Sequence, residues 1–336
     1  MTAPTPPARR LAVLGAGSWG TTFARVLADG GAEVVLWARR EEIAREIREE
    51  HRNRAYLPRH DLPGTVHGTS DLDEALAGAD GVVIAVPAQS LRTTLEARPA
   101  LPEVPILSLT KGIERGTDSR ISRVIVEAGR AAPELVGVLS GPNLSAEIAE
   151  RRPCASVVAA PSQELADALA AWCRAPYLRA YTSTDVIGVE VAGAVKNVIA
   201  IAVGAATGLG HGHNTTASLI TRGLAEITRL GVALGGRRET FAGLAGMGDL
   251  VATCASPLSR NHRLGLALGR GLDVEAAAAE VGSTAEGVAT ARAVADLAAQ
   301  LGVDMPITRA VVAVVDHGES IDHVTTALLS RSVRPE

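Results

Sequence analysis

Leu11-Ala-Val-Leu-Gly15-Ala-Gly17-Ser-Trp-Gly20 sets a G-x-G-x-x-G directly behind a short apolar run and directly ahead of the helical run Thr21 to Leu27. In this frame Gly15 permits a tight turn, Gly17 lets the backbone approach a pyrophosphate, and Gly20 lets helix and strand pack closely. The start of the helix adds free N–H groups and a partial positive charge, which suit phosphate oxygens. With Ser18 and Trp19 inside it, the turn is a candidate dinucleotide-binding site.

The next strand-like run, Glu33 to Trp37, ends in Ala38-Arg39-Arg40. An NAD-specific site usually places an acid there for the ribose 2′-hydroxyl, and an acid would repel a 2′-phosphate. Guanidinium groups would pair with that phosphate. Arg39 and Arg40 therefore predict NADP as the preferred cofactor, with NAD as the alternative. The same two arginines, followed by Glu41 and Glu42, also suit a solvated helix start.

Further along, Gly81 to Val86, Ile106 to Leu109, Leu135 to Leu139 and Ser156 to Ala159 join Leu11 to Leu14 and Glu33 to Trp37 as strand candidates. These runs are continuously apolar, as expected of strands buried on both faces in a parallel sheet. Helical patterns between them predict a doubly wound, Rossmann-like α/β domain. After about Thr184 the strands stop, and helical patterns such as Asn214 to Leu234 and Ala285 to Ala299 follow one another. The expected organisation is a nucleotide-binding domain over 8–185 and an all-α substrate domain over 186–336.

Composition narrows the partners. The 336 residues are 47% apolar, with a net charge of -4 and no block of like charge, so duplex DNA and anionic membranes are poor partners. Three Trp, three Tyr and two Phe leave few stacking surfaces for single-stranded nucleic acid. Cys154, Cys173 and Cys254 are odd in number and widely spaced, which predicts neither a disulfide framework nor a zinc set. The first ten residues show no apolar h-region, so the expected address is cytoplasmic. Val186 to Leu209 resembles a membrane span in composition, yet Glu190, Lys196 and Asn197 interrupt it, and a charge is costly at a bilayer centre. It reads instead as a buried helix carrying a lysine. No integral membrane segment is expected, and the apolar helical half suits a homodimer.

Four further segments carry a family resemblance. They are Leu109-Thr-Lys111-Gly-Ile-Glu114, Leu139-Ser-Gly141-Pro-Asn143-Leu-Ser145, Val189-Glu-Val-Ala-Gly193-Ala-Val-Lys196-Asn197, and Gly243-Leu-Ala-Gly-Met-Gly-Asp249-Leu with Ser259-Arg260-Asn261. Taken with the glycine turn, they make the chain resemble the bacterial NAD(P)-dependent sn-glycerol-3-phosphate dehydrogenases from about Leu11 to the last helices. The resemblance implies interconversion of sn-glycerol 3-phosphate and dihydroxyacetone phosphate, supplying glycerol 3-phosphate for phospholipid synthesis. It also implies a Rossmann domain joined to a helical domain, with the active site in the cleft between them.

By the same resemblance, Lys196 is the proton acceptor, and Lys111, Gly141, Asn143, Asp249, Ser259, Arg260 and Asn261 surround the substrate. Ser18, Trp19, Arg39, Lys111, Ser145, Arg260, Thr284 and Glu286 are implied around the cofactor. Ser145 stands where the family commonly has alanine, and Thr284 where it commonly has an aliphatic residue.

The chemistry is coherent on its own terms. Oxidising a secondary alcohol sends a hydride to an acceptor and a proton to a base, and without a zinc set a side chain must take the proton. His211 and His213 make a His-x-His with no third ligand in a Gly-rich turn, which reads as a loop, so no metal is expected. Burial of Lys196 would lower its pKa, whereas a nearby Asp249 would raise it. Asp249 is expected to orient the lysine, and the sign of the net shift stays open. Arg260 and Asn261, following the turn Ala255 to Ser259, are the candidate phosphate readers. Lys196 and Asn197 are adjacent, unlike their spacing in the β-hydroxyacid and 6-phosphogluconate dehydrogenases. A redox-sensing NADP-binding regulator without chemistry would have no use for Lys111, Lys196 and Asp249 together.

Overall fold

Strands without polar alternation must be covered on both faces, and the structure, a computed structural model that describes residues 9–98, 100–282, 286–321 and 323–325, covers them with helices. The chain divides into two compact units. One takes the described residues up to Thr110 together with Ser122–Val186, and the other takes Lys111–Ile121 with the chain from Ile187 onward. The division is not a single cut, because an eleven-residue segment leaves the first unit for the second.

The sheet unit runs β1 (Arg10–Leu14), α1 (Ser18–Asp29), β2 (Glu33–Trp37), α2 (Glu41–Glu50), β3 (Val66–Thr69), α3 (Leu72–Leu76), β4 (Gly81–Ile84) and α4 (Ala88–Glu96). It continues with β5 (Ile106–Ser108), α5 (Ile121–Gly129), β6 (Val136–Ser140), α6 (Ser145–Ala149), β7 (Cys154–Ala159), α7 (Gln163–Ala170) and β8 (Leu178–Ser183). The eight strands lie in the order β3-β2-β1-β4-β5-β6-β7-β8. The chain order reverses between β1 and β4, paired in parallel with Leu11 beside Gly81, and such a switch point opens a ligand crevice at the carboxyl ends of the strands. Leu11, Val13, Phe23, Leu27, Leu36, Ile47 and Val83 belong to the core beneath it.

Two strands escaped the sequence reading, and they are the two edges. Val66–Thr69 is only four residues long and carries His67 and Gly68. Leu178–Ser183 buries Leu178 but leaves Arg179, Tyr181 and Thr182 exposed. An edge strand is not buried on both faces, so it lacks the continuous apolar run used to find the others. A second correction concerns direction: β7 runs antiparallel to β6, so the sheet is mostly rather than wholly parallel.

The helical unit comprises α8 (Val186–Gly208), α9 (His213–Ala233), α10 (Arg238–Ala242), α11 (Asp249–Ala255), α12 (Arg260–Gly269), α13 (Val274–Val281), α14 (Glu286–Gln300) and α15 (Pro306–His317). α8 is long and apolar enough to cross a membrane, but 83% of its most apolar stretch is buried within the protein. A helix apolar all round needs such enclosure. Ile113, Val191, Val195, Ile199, Ile227, Leu230 and Leu250 form part of the core around it.

Candidate active site

In the sheet unit the functional positions gather at the carboxyl edge of the sheet. Gly15 follows β1 with φ +114, and a Cβ there would lie 2.6 Å from the Ala85 carbonyl oxygen. At Gly20 a Cβ would come within 1.9 Å of the Gly15 carbonyl oxygen, so turn and helix meet with no room for a side chain. Beside Gly17 the opposite holds: a Cβ would meet nothing within 4 Å. Tight packing behind the turn and open space in front of it are what a dinucleotide phosphate requires. Gly17 is the N-cap of α1 and no side chain caps that end, so Ser18, Trp19 and Gly20 begin a helix whose first N–H groups can serve an anion.

Asn53 holds this turn, a role that sequence reasoning missed. Fully buried, it donates through Nδ2 to the Ala16 carbonyl at 2.9 Å and to Thr21 Oγ1 at 2.8 Å. Its polar surroundings, His51-Arg-Asn53-Arg, gave no sign of burial. Trp19 packs edge-on against Phe23, and its indole N–H is buried without a partner.

At the end of β2 the two arginines differ. Arg40 stands at the N-cap position of α2 without a side-chain capping bond, approaches Glu42 at 3.6 Å and lies over the Tyr56 ring. Arg39 is exposed. Glu41 is held by Arg48 at 3.0 Å and by Ser70 Oγ at 2.5 Å, so the nearby acid is already engaged. Behind β6, Gly141 has φ +148 and a Cβ there would press on Ser156. Ser156 Oγ donates to Asn143 Oδ1 at 2.5 Å, which fixes the amide so that Asn143 Nδ2 stays buried without a partner. Ser145 starts α6, and its carbonyl accepts from Thr22 Oγ1 at 3.5 Å. The unused buried donor at Trp19 and the open face of Gly17 fit a bound dinucleotide, and the unused Asn143 Nδ2 remains a donor for the substrate position the resemblance implies.

The helical unit holds the charged cluster. α11 starts at Asp249, immediately after a π-helical turn, Leu244–Gly248. Within that turn a Cβ at Gly246 would lie 2.1 Å from the Phe241 carbonyl oxygen, so only glycine fits there, and Asp249 just beyond it is buried. Asp249 Oδ2 accepts from Lys111 Nζ at 2.7 Å, and Oδ1 accepts from Lys196 Nζ. Lys196 also donates to Thr253 Oγ1 at 2.9 Å. Thr253 is another residue that was missed, although its place four residues after Asp249 on one helix was a usable signal.

Burial acts first on Lys196 and removes the solvation of its ammonium. Asp249 pulls the other way and Lys111 assists burial, leaving the lysine lowered to about 7. Desolvation is the largest effect, and because two ammonium groups share one carboxylate, Asp249 does not cancel it. Burial pushes Asp249 up, but Lys111 and Lys196 outweigh it and keep its carboxyl below the usual range.

Ser259 caps α12 by accepting from the His262 N–H at 3.3 Å, and Arg260 is the exposed first residue of that helix. Asn261 is buried, and its Oδ1 accepts from the Gly287 N–H at 3.0 Å. That bond engages Oδ1 and not Nδ2. Glu286, beside Gly287, has a carboxyl that burial pushes up against the pull of Arg260, Lys111 and Lys196. Thr284 lies outside the described residues. His211 and His213 are exposed, and no group of three metal-ligating side chains occurs among the described residues.

Comparison with known proteins places this geometry. Residues 10–166 match the NAD-dependent glycerol-3-phosphate dehydrogenase N-terminus, and residues 185–326 match the corresponding C-terminus. The chain belongs to the NAD-dependent glycerol-3-phosphate dehydrogenase family. It is 54% identical over 330 residues to glycerol-3-phosphate dehydrogenase [NAD(P)+] of Thermobifida fusca, covering 97% of this chain and 98% of that one. To the enzyme of the same name from Streptomyces griseus it is 52% identical over 329 residues, covering 97% and 98%. Its fold matches the crystal structure of glycerol-3-phosphate dehydrogenase from Coxiella burnetii with a TM-score of 0.92 at 37% identity, covering 97% of this chain and all of that one. The chain is therefore an NAD(P)-dependent oxidoreductase of the glycerol-3-phosphate dehydrogenase type.

Proposed function

We propose that this dehydrogenase interconverts sn-glycerol 3-phosphate and dihydroxyacetone phosphate with Lys196 as the acid–base group. The observation that carries the reading is a buried lysine, brought to about 7 and fixed on Asp249 and Thr253. When bound, the nicotinamide supplies the hydride acceptor or donor. As hydride leaves C2 of glycerol 3-phosphate, neutral Lys196 accepts the hydroxyl proton; in the reverse direction its ammonium returns it. Asp249 keeps Nζ from swinging, and Lys111 holds the other carboxylate oxygen. Arg260 and the Asn261 amide read the substrate phosphate as a charge-assisted pair.

Arg39 supports a preference for NADP over NAD, because it is the exposed guanidinium at the end of β2 while the neighbouring Glu41 is already bonded. Three free cysteines, two of them buried, support a reducing, cytoplasmic setting. Exposed Val232, Met247, Val251, Leu258 and Leu301 on the helical unit support a homodimer, which light scattering of the purified protein would reveal. Reduction of dihydroxyacetone phosphate would supply glycerol 3-phosphate for phospholipid synthesis.

NADPH oxidation followed with dihydroxyacetone phosphate, and with dihydroxyacetone as control, tests the assignment. Turnover is expected with the phosphate ester and little with the unphosphorylated ketone. Equal efficiency with both would overturn the substrate class and the role of Arg260.

A further inference from the structure

The segment 111–121 is a hairpin belonging to the helical unit. Ile113 and Arg120 form an antiparallel bridge, the Glu114 N–H donates to the Ser119 carbonyl at 3.0 Å, and the turn between them uses positive φ at Gly116 and Asp118. Its first arm carries Lys111 and then Ile113, which is fully buried in the core around α8. Its return arm ends at Arg120, whose Nη1 donates to Glu190 Oε2 at 2.7 Å. Glu190 lies on α8, six residues or about 9 Å before Lys196, and its side chain is only 2% exposed. Asp118 is tied separately to α14, accepting from Gln300 Nε2 at 2.8 Å.

A buried charge pair away from the reacting atoms is weak evidence for stability, since apolar residues of similar volume would usually do as well. Here its position says more. We propose that the Arg120–Glu190 pair is a positioning device for proton transfer: it fixes the hairpin to the helix that carries Lys196 and so holds the Lys111 ammonium on Asp249. This rests on Lys196 being the acid–base group. The charged and titratable groups facing Lys196 are Asp249 and Cys254 from α11, Lys111 from the hairpin and Glu286 from α14. Of these, Lys111 is the cation that makes the proton of Lys196 easier to lose. If the hairpin loosens, that push fades, and Lys196 should hold its proton to higher pH.

Glu190→Gln separates this route from simple electrostatics. Deleting a negative charge near Lys196 acts directly to lower the pH at which the lysine ionises, whereas releasing Lys111 raises it. The measurement is the acidic limb of kcat/KM for glycerol 3-phosphate oxidation. In Glu190→Gln the limb should move up by roughly one unit, about what moving a cation several ångströms away produces at an effective dielectric near 20. Lys111→Met should give an upward shift in its residual activity, and Glu190→Gln should add nothing to it in the double variant. Should Glu190→Gln fold poorly, Glu190→Asp keeps the charge but draws the carboxylate back from Arg120 by one methylene, and it is expected to shift the limb in the same upward direction. A limb that stays or moves down, a loss of rate uniform across pH, or full additivity with Lys111→Met would overturn the proposal. Normal turnover by Lys196→Met would instead overturn the acid–base assignment beneath it.

Discussion

Among the described residues of the sheet unit the buried polar side chains are nearly all neutral, among them Thr21, Thr22, Asn53, Ser108, Ser140 and Ser156, and Asp185 is the charged exception close to the unit's last residue. The helical unit instead buries Glu114, Glu190, Lys196, Glu226 and Asp249. A dinucleotide can be held by backbone N–H groups and shape, and neutral side chains suffice to brace the turn that presents them. Proton transfer needs a charge that is present in one state and absent in the other, and desolvation, aided here by the neighbouring Lys111 ammonium, brings a lysine into that range. On the proposed reading, one unit recognises with its backbone and the other reacts with its side chains.

The sharpest way to break this contrast is Lys196→Met. It should reduce turnover by at least ~10²-fold, as loss of a positioned acid–base group does, while NADPH affinity measured by fluorescence titration stays near normal. Survival of turnover would remove Lys196 from the chemistry. Arg260→Ala comes next. Losing a charged hydrogen bond to phosphate should lower kcat/KM for dihydroxyacetone phosphate by roughly ten- to a hundredfold and erase much of the discrimination against dihydroxyacetone.

The pH dependence follows from Lys196 at about 7. Oxidation needs the neutral amine, so its kcat/KM should climb about tenfold per unit below that pH and level off above it. Reduction needs the ammonium and should fall above it. Stability moves with the same group. Its folded pKa lies below the ordinary 10.5, so the folded state binds fewer protons from about 7 to 10.5, and the contribution of Lys196 to stability rises with pH across that window. Opposite slopes for the two directions, measured on one preparation, would confirm the assignment; parallel slopes would contradict it.

Two smaller effects probe the sheet unit. Gly17→Ala adds a methyl that meets no protein atom, so thermal stability should barely change, while NADPH should bind about tenfold more weakly because the methyl occupies the phosphate approach. A large fall in Tm would show that the open face has a packing role instead. Arg39→Asp should weaken or reverse the preference for NADPH over NADH by exchanging attraction for repulsion at the 2′-phosphate. Identical cofactor affinities before and after the change would transfer that role to other groups.

Much of this architecture could be read directly from the chain. The glycine turn, the central strands and the lysine inside an apolar helix are local patterns, and each is set by residues close in sequence. The edge strands β3 and β8 were not legible because their faces are only partly covered, and the reversal of β7 depends on which neighbour it meets. Asn53 gave no signal for a similar reason: its partners, Ala16 and Thr21, lie more than thirty residues away.

By itself the sequence determined a nucleotide-binding α/β half, a helical half and the family to which both belong. It also placed Lys196 and Asp249 as candidates but left the sign of the lysine's shift open, because burial and an opposite charge oppose one another. The tertiary structure decided that sign. It buries Lys196, whose desolvation is the largest effect on it, and it carries Lys111 on a hairpin onto the second oxygen of Asp249, where a like charge adds to that effect. Charge interactions depend on distance and enclosure, and Lys111, 85 residues before Lys196 in the chain, acquires both only when the protein folds.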